Sequence, residues 1–403
     1  MTIEIARFED EWSTLVGLVS LAFGAPWNDA QLASERRVWE SDRSIVALDG
    51  KELAGHTCAF SLLMTVPGAQ LPVAGVSMVS VLPTHRRRGI LRDLMREQLT
   101  ELYESGAEPV AALTASEPVI YGRFGYGLAS DHLDVTIPRA SRLLRPVAGT
   151  GEVTLRYADP AGALGICTRI HNAEALTRPG MFRHDTRWQA YVTSENVTSS
   201  ADGASPLRCV VAERSGEAVG YAYYRTKWTT GGATEVLRVH AADLAGHVAL
   251  WEFLLDQDLM QETRYRRLPS DDPLLALLLD HRQARPTVTD GLWVRLVDVP
   301  RALEARTYER EVEVVLGVQD EFCPWNAGTW RLSAGPSGAS CEPTDRQPDL
   351  VLDVRELGGV YLGGPSLARL GAAGLVEERT QGALAPTSAA FTTARLPWLD
   401  TGF

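Results

Sequence analysis

The stretch VSMVSVLPTHRRRGILRDLM, Val76 to Met95, places three consecutive arginines and a glycine between a strand-like run and a helix-like run. A chain that stops at Pro83 and turns into a helix presents unpaired backbone N–H groups at the helix N-terminus. With the helix dipole these groups form an anion site, and Gly89 lets the backbone approach the ligand closely. Charge-assisted hydrogen bonds can be added by nearby arginines, namely Arg87, Arg88 and Arg92. The ligand that suits this geometry is a compact pyrophosphate.

A solvated basic face is the alternative interpretation of the three arginines. Arginine beside a helix N-terminus is electrostatically disfavoured unless an anion is present, which favours the binding site. The loop does not match the GxxxxGK[ST] P-loop or the GxGxxG dinucleotide pattern.

The surrounding sequence predicts alternating helices and strands that position this loop. FEDEWSTLVGLVSLAFG has helical periodicity, and SIVALDGKELAGHTCAFSLLMTV predicts two strands joined at Asp49-Gly50. GVSMVSV predicts a further strand, followed by an amphipathic helix that ends near Gly106 and by the strand PVAALTAS.

A second unit echoes the first. Leu207 to Trp228 has the same order of strand, charged turn and strand, and TEVLRVHAADLAGHVALWEFLLDQ then runs from strand to helix. This pattern indicates two diverged copies of one α/β unit. The second copy has HAADLAG, residues 240–246, where the first has its arginines, so we interpret it as a structural duplicate. A third unit of strands and helices begins near DGLWVRLVDVPRALEAR.

Length, composition and net charge limit the kinds of function that the chain can have. The 403-residue chain is 45% hydrophobic and 22% charged, which is typical of a globular protein of two or three domains. Its net charge of −12 argues against nucleic-acid binding and suits small cationic substrates. No run is long enough to span a membrane and no secretory signal is evident, so the cytoplasm is the expected location. The five scattered cysteines and eight histidines show no metal-binding spacing, so no metal is expected.

The order strand, PTHRRRGIL, helix, strand, ASEPVIYGRFGYG resembles the GNAT N-acetyltransferase superfamily, whose corresponding loop binds the pyrophosphate of acetyl-CoA. Leu91 stands where the general motif has Gly or Ala. A closer resemblance, carried by PTHRRRGILR, AALTASEPVIYGRFGYG, DGLWVRLVDVPRALEAR and the short aromatic C-terminus, is to the Eis (enhanced intracellular survival) family.

The resemblance implies a mixed α/β (α+β) fold with two tandem GNAT-like domains and a third, sterol-carrier-protein-like domain. The expected ranges are 1–145 for the N-terminal GNAT domain, 146–288 for the degenerate central one, and 289–403 for the third domain with a catalytic tail. It also implies a homohexamer and acetyl-CoA as co-substrate.

The resemblance assigns two catalytic roles. Tyr121, four residues before Gly125-Tyr126, is the expected proton donor to the departing CoA sulfur. The C-terminal carboxylate of Phe403 is the expected proton acceptor for the attacking amine, through water. The alternatives are a core tyrosine and a disordered tail. Expected cofactor-binding residues are Val79, Ser80, Val81, Arg87, Arg88, Gly89, Ile90, Leu91, Arg92, Ser116 and Glu117.

The acceptor is the least constrained part of the prediction. The family implies acetyl transfer to amines of cationic substrates, namely aminoglycosides, polyamines and lysine-type amines. The alternatives are a protein-lysine acetyltransferase and a lipid-binding protein that uses the third domain. The pocket is expected to be lined by Trp12, Phe23, Trp27, Trp39, Phe60 and Met78, with Asp29 or Glu35 as partners of the cation.

Overall fold

A computed structural model describes residues 3–8, 12–24, 27–142, 144–194, 203–228 and 231–403. The strands are β1 (Ile3–Arg7), β2 (Ser44–Asp49), β3 (Glu52–Val66), β4 (Ala69–Val81), β5 (Val110–Thr114), β6 (Gly127–Leu128), β7 (Asp131–Pro138), β8 (Thr154–Ala158), β9 (Arg208–Arg214), β10 (Glu217–Lys227), β11 (Ala233–Ala241), β12 (Glu262–Pro269), β13 (Thr287–Asp290), β14 (Leu292–Leu296), β15 (Val312–Gln319), β16 (Gly328–Gly335), β17 (Gly338–Pro343), β18 (Leu350–Asp353) and β19 (Val376–Glu378).

The α-helices are α1 (Trp12–Phe23), α2 (Asp29–Val38), α3 (Ile90–Ser105), α4 (Pro118–Tyr121), α5 (Leu164–Ala175), α6 (Thr186–Ser194), α7 (Leu244–Leu255), α8 (Leu274–Leu277), α9 (Val299–Glu304), α10 (Val354–Val360), α11 (Leu367–Ala372) and α12 (Leu384–Phe391). In the described part of the chain, no helix is both long and apolar enough to cross a bilayer.

The first sheet has the strand order β1-β2-β3-β4-β5-β14-β6 and contains the predicted hairpin of β2 and β3. Parallel pairing of β4 with β5 ends at Gly75 and Ala112, although both strands continue. The unpaired ends diverge and leave main-chain groups open between them. The ladder between β3 and β4 is interrupted next to Met78, which has a φ of 50°.

Buried His56 stabilises this bulge. Burial lowers the pKa of His56 to about 4, against the raising effect of the Met78 carbonyl, so the imidazole is neutral. Its Nδ1–H donates to the carbonyl oxygen of Met78 at 3.0 Å, and the hydroxyl of Ser80 donates to the same oxygen at 3.2 Å. These two hydrogen bonds therefore hold the bulge in β4, beside the opening between the strands.

The second sheet repeats the first, with the order β13-β7-β12-β11-β10-β9-β8. Position by position, β8 to β12 correspond to β1 to β5. The sequence echo had predicted the part formed by β9, β10, β11 and α7. The two units exchange one strand, because β7 pairs with β12 of the second sheet while β14 pairs with β5 of the first. The domain ranges expected from the sequence, 1–145, 146–288 and 289–403, stay a prediction. The two exchanged strands pair across these boundaries, since β7 of the first range pairs with β12 and β14 of the third range pairs with β5.

The third unit has a sheet of order β17-β16-β15-β18-β19 and the helices α9 to α12. Its helix α10 packs directly on β14 and β6. A Cβ on Gly358 would lie 2.4 Å from the carbonyl oxygen of Val294, and one on Gly127 would lie 2.5 Å from the nitrogen of Gly359. The third unit is therefore in close backbone contact with the first sheet. The predicted fold class is confirmed.

Candidate active site

A cavity of about 650 Å³ lies at the opening between β4 and β5. It extends from the diverging strand ends to the N-terminus of α3, and Phe322 of the third unit closes part of it. Most of the predicted cofactor-binding residues line it: Val79, Ser80, Val81, Arg87, Gly89, Ile90, Leu91, Arg92, Ser116 and Glu117. The cavity joins the open edge of β4 to a helix N-terminus, the arrangement expected for a pantetheine chain that carries a pyrophosphate.

The loop before α3 has the form of an anion cradle. Gly89 is the N-cap residue of α3, with a φ of 86°, and no side chain caps the helix there. Arg87 also has a positive φ, 64°, which is uncommon for a residue with a side chain. The first N–H groups of α3 therefore remain available to a ligand.

The guanidinium groups of the loop are arranged differently from the prediction. Arg88 donates to Asp49 at 2.9 Å, and its side chain does not line the cavity. The hydrogen bond from Arg88 lowers the pKa of Asp49. Arg86, which was not among the predicted cofactor residues, lines the cavity and donates to the carbonyl oxygen of Ala22 at 3.0 Å. The Arg88 side chain is therefore paired with Asp49 and not directed into the cavity in this structure, and its contact with the cofactor stays a prediction.

Replacing Gly89 by valine is expected to weaken acetyl-CoA binding by at least about tenfold, since a side chain in the left-handed region costs about 1–2 kcal/mol and a β-branched one more. Crowding is a minor factor, because the nearest atom to a Cβ would be the guanidinium tip of Arg92, at 3.4 Å. The matched variant Arg86→Ala is expected to change the Kd by less than about threefold. Titration calorimetry with acetyl-CoA compares the two variants, and the opposite order of affinities would contradict the backbone-centred account of the loop.

In the second unit, the corresponding loop lies between β11 and α7, and a carboxylate of the chain itself occupies the helix N-terminus there. Asp243 is the N-cap residue of α7 and accepts from the N–H of Gly246 at 2.9 Å. That hydrogen bond, with Arg214 also in contact, lowers the pKa of Asp243. An internal carboxylate therefore caps the helix N-terminus that corresponds to the uncapped one in the first unit, which agrees with a degenerate copy.

Tyr121 lies where the cofactor cavity meets a second cavity. It ends the short helix α4, is 7% exposed, and lines both spaces. Burial, assisted by the Glu117 carboxylate, raises the pKa of Tyr121 to about 12. The phenol therefore keeps its proton at neutral pH. Its neighbour Tyr126 is fully buried and packs against it, with ring centroids 6.0 Å apart.

The second cavity, of about 340 Å³, extends from Tyr121 towards α1, α2 and α6. Phe23, Trp27 and Met78 line it as predicted, whereas Trp12 lines only a smaller neighbouring space. Two of the predicted acceptor residues are part of the packing behind it, Trp39 against Trp12 and Phe60 against Trp188. They do not line either space.

Of the two candidate cation partners, only Glu35 lines the second cavity; Asp29 is exposed in the first turn of α2. The central unit contributes Tyr191, whose hydroxyl donates to Glu35 at 3.1 Å.

The C-terminus enters the same cavity. The hydroxyl of Thr114, at the end of β5, donates to the terminal oxygen of Phe403 at 3.0 Å. The Phe403 ring packs edge-on against Phe60 and Phe182, with centroid distances of 6.5 and 5.9 Å. The predicted acid and the predicted base thus line one space. Their roles stay predictions, but the expectation of an anchored tail agrees with this packing.

Several site residues had no signal in the sequence. Phe182 and Tyr191 reach the site from the central unit, and their short-range context gives no hint of this. Thr114 lies within AALTASEPVIYGRFGYG, which carries the resemblance, but its contact with Phe403 was not predicted. The histidines, which lack metal-binding spacing in the sequence, also converge. Ligand atoms of His171, His184 and Asp400 lie within 4.8 Å of one another. The two rings are stacked at 3.8 Å and 12°, so their in-plane lone pairs do not converge on a metal.

Sequence comparison matches residues 5–129 and 180–296 to acetyltransferase (GNAT) domains and residues 299–400 to a sterol carrier protein domain. With the open strand pair and the anion loop, these matches define a GNAT-type N-acetyltransferase, which is an acyltransferase. The GNAT fold implies acetyl-CoA as the co-substrate.

Full-length relatives identify the family. The chain is 34% identical over 398 residues to N-acetyltransferase Eis of Mycobacterium tuberculosis H37Ra, across 96% of this chain and 95% of that protein. It is 47% identical to an uncharacterized N-acetyltransferase of Streptomyces coelicolor, across 98% of each chain. The crystal structure of Eis1 from Mycobacterium abscessus superposes with a TM-score of 0.85 at 32% identity, covering both chains completely. The chain belongs to the Eis family of N-acetyltransferases.

Proposed function

We propose that the protein transfers the acetyl group of acetyl-CoA directly to an amine of a cationic substrate, such as an aminoglycoside, a polyamine or a lysine-type amine. The observation that carries this proposal is the meeting of two cavities at Tyr121. The cofactor cavity approaches from the anion loop, and the acceptor cavity contains the chain terminus.

The strand ends orient the acetyl donor. The pyrophosphate rests on the N–H groups that begin α3, and the pantetheine amides pair with the open edge of β4 at Val79 to Val81. Val79 follows the bulge at Met78 and lines both cavities. In this proposal its N–H polarises the thioester oxygen as negative charge develops there.

Tyr121 and the C-terminal carboxylate carry out the two proton transfers, one to the departing thiolate and one from the attacking amine. The amine attacks the thioester carbonyl and, as the C–N bond forms, gives up a proton to the Phe403 carboxylate through a water molecule. The C–S bond breaks, and the phenol of Tyr121 protonates the departing thiolate. Burial keeps the Tyr121 phenol protonated at neutral pH, so that a proton is available for the departing thiolate.

Charge supports a cationic acceptor. The chain carries a net charge of −12, which raises the local concentration of polycations and their association rate. Inside the acceptor cavity, the partly buried Glu35 offers a carboxylate to an ammonium group of the substrate.

The variant Glu35→Gln is expected to raise KM for a polycationic acceptor by roughly tenfold and to leave kcat within about twofold, since it removes an ion pair formed equally in the ground and transition states. Asp29→Asn is the matched control, because this exposed acid of the same helix does not line the cavity. Steady-state kinetics with a polyamine measures both. Equal effects of the two variants would contradict the assignment of Glu35.

Release of free CoA thiol tests the proposed function. The protein is incubated with acetyl-CoA and, separately, with an aminoglycoside, a polyamine and a lysine-containing peptide, and the acetylated product is identified by mass spectrometry. One thiol released for each acetylated amine is expected with the small polycations. Acetyl-CoA binding without thiol release from any amine would overturn the proposal and favour lipid binding by the third unit. Release with the peptide alone would favour protein-lysine acetylation.

We also propose a cytoplasmic homohexamer. Membership of the Eis family supports the hexamer, and the supply of acetyl-CoA supports the compartment. Light scattering of the purified protein is expected to give about six times the chain mass of 43.9 kDa.

A further inference from the structure

The last residues of the chain are anchored in the central unit before they enter the N-terminal one. Trp398 is 1% exposed; its indole N–H donates to the carbonyl oxygen of Arg267 at 2.9 Å, and its backbone N–H donates to Pro179 at 2.9 Å. Asp400 follows at 3% exposure. The tail therefore leaves the central unit only two or three residues before its end.

Arg238, on β11, makes the main contacts to this tail. A single nitrogen, Nη1, lies 2.6 Å from the Asp400 carboxylate, 3.1 Å from its backbone oxygen and 2.8 Å from the Thr401 hydroxyl. Arg238 and Asp400 expose only 6% and 1% of their side chains. An ion pair removed from water in this way is sensitive to the loss of either partner, because the buried charge that remains loses a close counter-charge.

Histidines complete the surroundings of Asp400. His171 lies 3.3 Å from its carboxylate and His240 lies 3.4 Å from it, while His184 is 3.1 Å from the Thr401 hydroxyl. Burial alone would lower the pKa of His240, but Asp400 and Glu174 raise it to about 9. His240 is therefore protonated at neutral pH and is, after Arg238, the second cation of this cluster. Glu174 lies 2.8 Å from His240 and is, after Asp400, the second anion.

The short distance in sequence from Asp400 to Phe403 links this cluster to the proposed proton acceptor. Only Thr401 and Gly402 separate Asp400 from Phe403. Release of Asp400 would therefore let the terminus move by several ångströms, since each residue spans up to about 3.5 Å. At the last residue itself, the terminal carboxylate accepts from the Thr114 hydroxyl, and the Phe403 ring packs against Phe60 and Phe182. A displacement of about 1 Å at a reacting group can cost a hundredfold in rate.

We propose that Arg238 of the central unit is a positioning residue for acetyl transfer, which acts through Asp400 to hold the terminal carboxylate in the acceptor cavity. This inference rests on the proposed role of Phe403. The degenerate central copy would then take part in the reaction, because Arg238 on its strand β11 positions the proton acceptor of the N-terminal copy. The central copy does this although Asp243 caps the helix where its own cofactor would bind.

Kinetics of Arg238→Gln test this proposal. We expect kcat to fall by about 30-fold or more while the Kd for acetyl-CoA stays within about twofold, because the cofactor cavity contains no part of the cluster. The conservative variant Arg238→Lys should restore part of the rate. Arg225→Gln is the matched control: it removes a buried arginine of the same sheet, on β10, that donates to Ser205 and not to the tail.

A double-variant cycle separates positioning from general destabilisation. The Phe403 carboxylate is converted to a primary amide by ammonolysis of an intein fusion, in wild-type and Arg238→Gln backgrounds. If Arg238 acts through the carboxylate, the variant costs little further activity once the amide is present. Equal losses in both backgrounds would overturn the proposal.

The same cycle distinguishes the two hypotheses. Full activity of the wild-type amide would refute the proposed base itself, whereas an inactive amide with a fully active Arg238→Gln would refute only the positioning. Should Arg238→Gln fail to fold, the double variant Arg238→Gln with Asp400→Asn, which removes both buried charges, takes its place. The same loss of kcat is then expected, and unchanged kcat would overturn the proposal.

Discussion

Phenylalanine at position 121 is expected to lower kcat by roughly 10²–10³-fold and to leave the Kd for acetyl-CoA unchanged, because general-acid catalysis typically contributes 10²–10⁴-fold. The substitution removes only the hydroxyl of a side chain that is 7% exposed, so the packing is retained. Tyr126→Phe is the matched control, since Tyr126 is equally aromatic, fully buried and adjacent. Equal losses in the two variants would show that packing, and not proton donation, is what Tyr121 contributes.

The pH profile of the wild-type enzyme checks the same assignment. Burial raises the pKa of Tyr121 to about 12, so the acid stays protonated through the alkaline range. We expect kcat/KM to rise as the acceptor amine loses its proton and not to fall between about pH 9 and 11. An ordinary tyrosine would produce a descending limb near pH 10, and such a limb, absent in Tyr121→Phe, would contradict the buried environment described for it.

Local features of the site could be predicted from the sequence. Pro83, Gly89 and the helical periodicity after them determine a strand, a loop and an open helix N-terminus within about 20 residues. The duplication was also visible, because strand and helix periods repeat in the same order. These features depend on short stretches, in which the pattern of side chains is sufficient to predict the local conformation.

Features that depend on distant partners could not be predicted. The sequence gives no sign that β7 and β14 are exchanged between sheets, since either pairing satisfies the same strand patterns. Arg88 was expected at the ligand and instead pairs with Asp49, 39 residues away. The contact of Arg238 with Asp400 spans 162 positions, and isolated buried charges of this kind have no periodic signature.

Loss of the terminal carboxylate is the second large effect expected. A chain that ends in the Phe403 amide should lose about 10²-fold or more in kcat, because the amide cannot accept the proton that the amine releases. The amide still offers an oxygen to the Thr114 hydroxyl, and the ring contacts with Phe60 and Phe182 are unchanged. The change therefore removes the base without disturbing the packing of the tail.

The most direct measurement compares the amide and the free acid, both released from one intein fusion, in single-turnover acetyl transfer with acetyl-CoA already bound. We predict equal affinity for acetyl-CoA and a transfer step at least about a hundredfold slower in the amide. Equal transfer rates in the two proteins would contradict the central claim that the chain terminus is the proton acceptor.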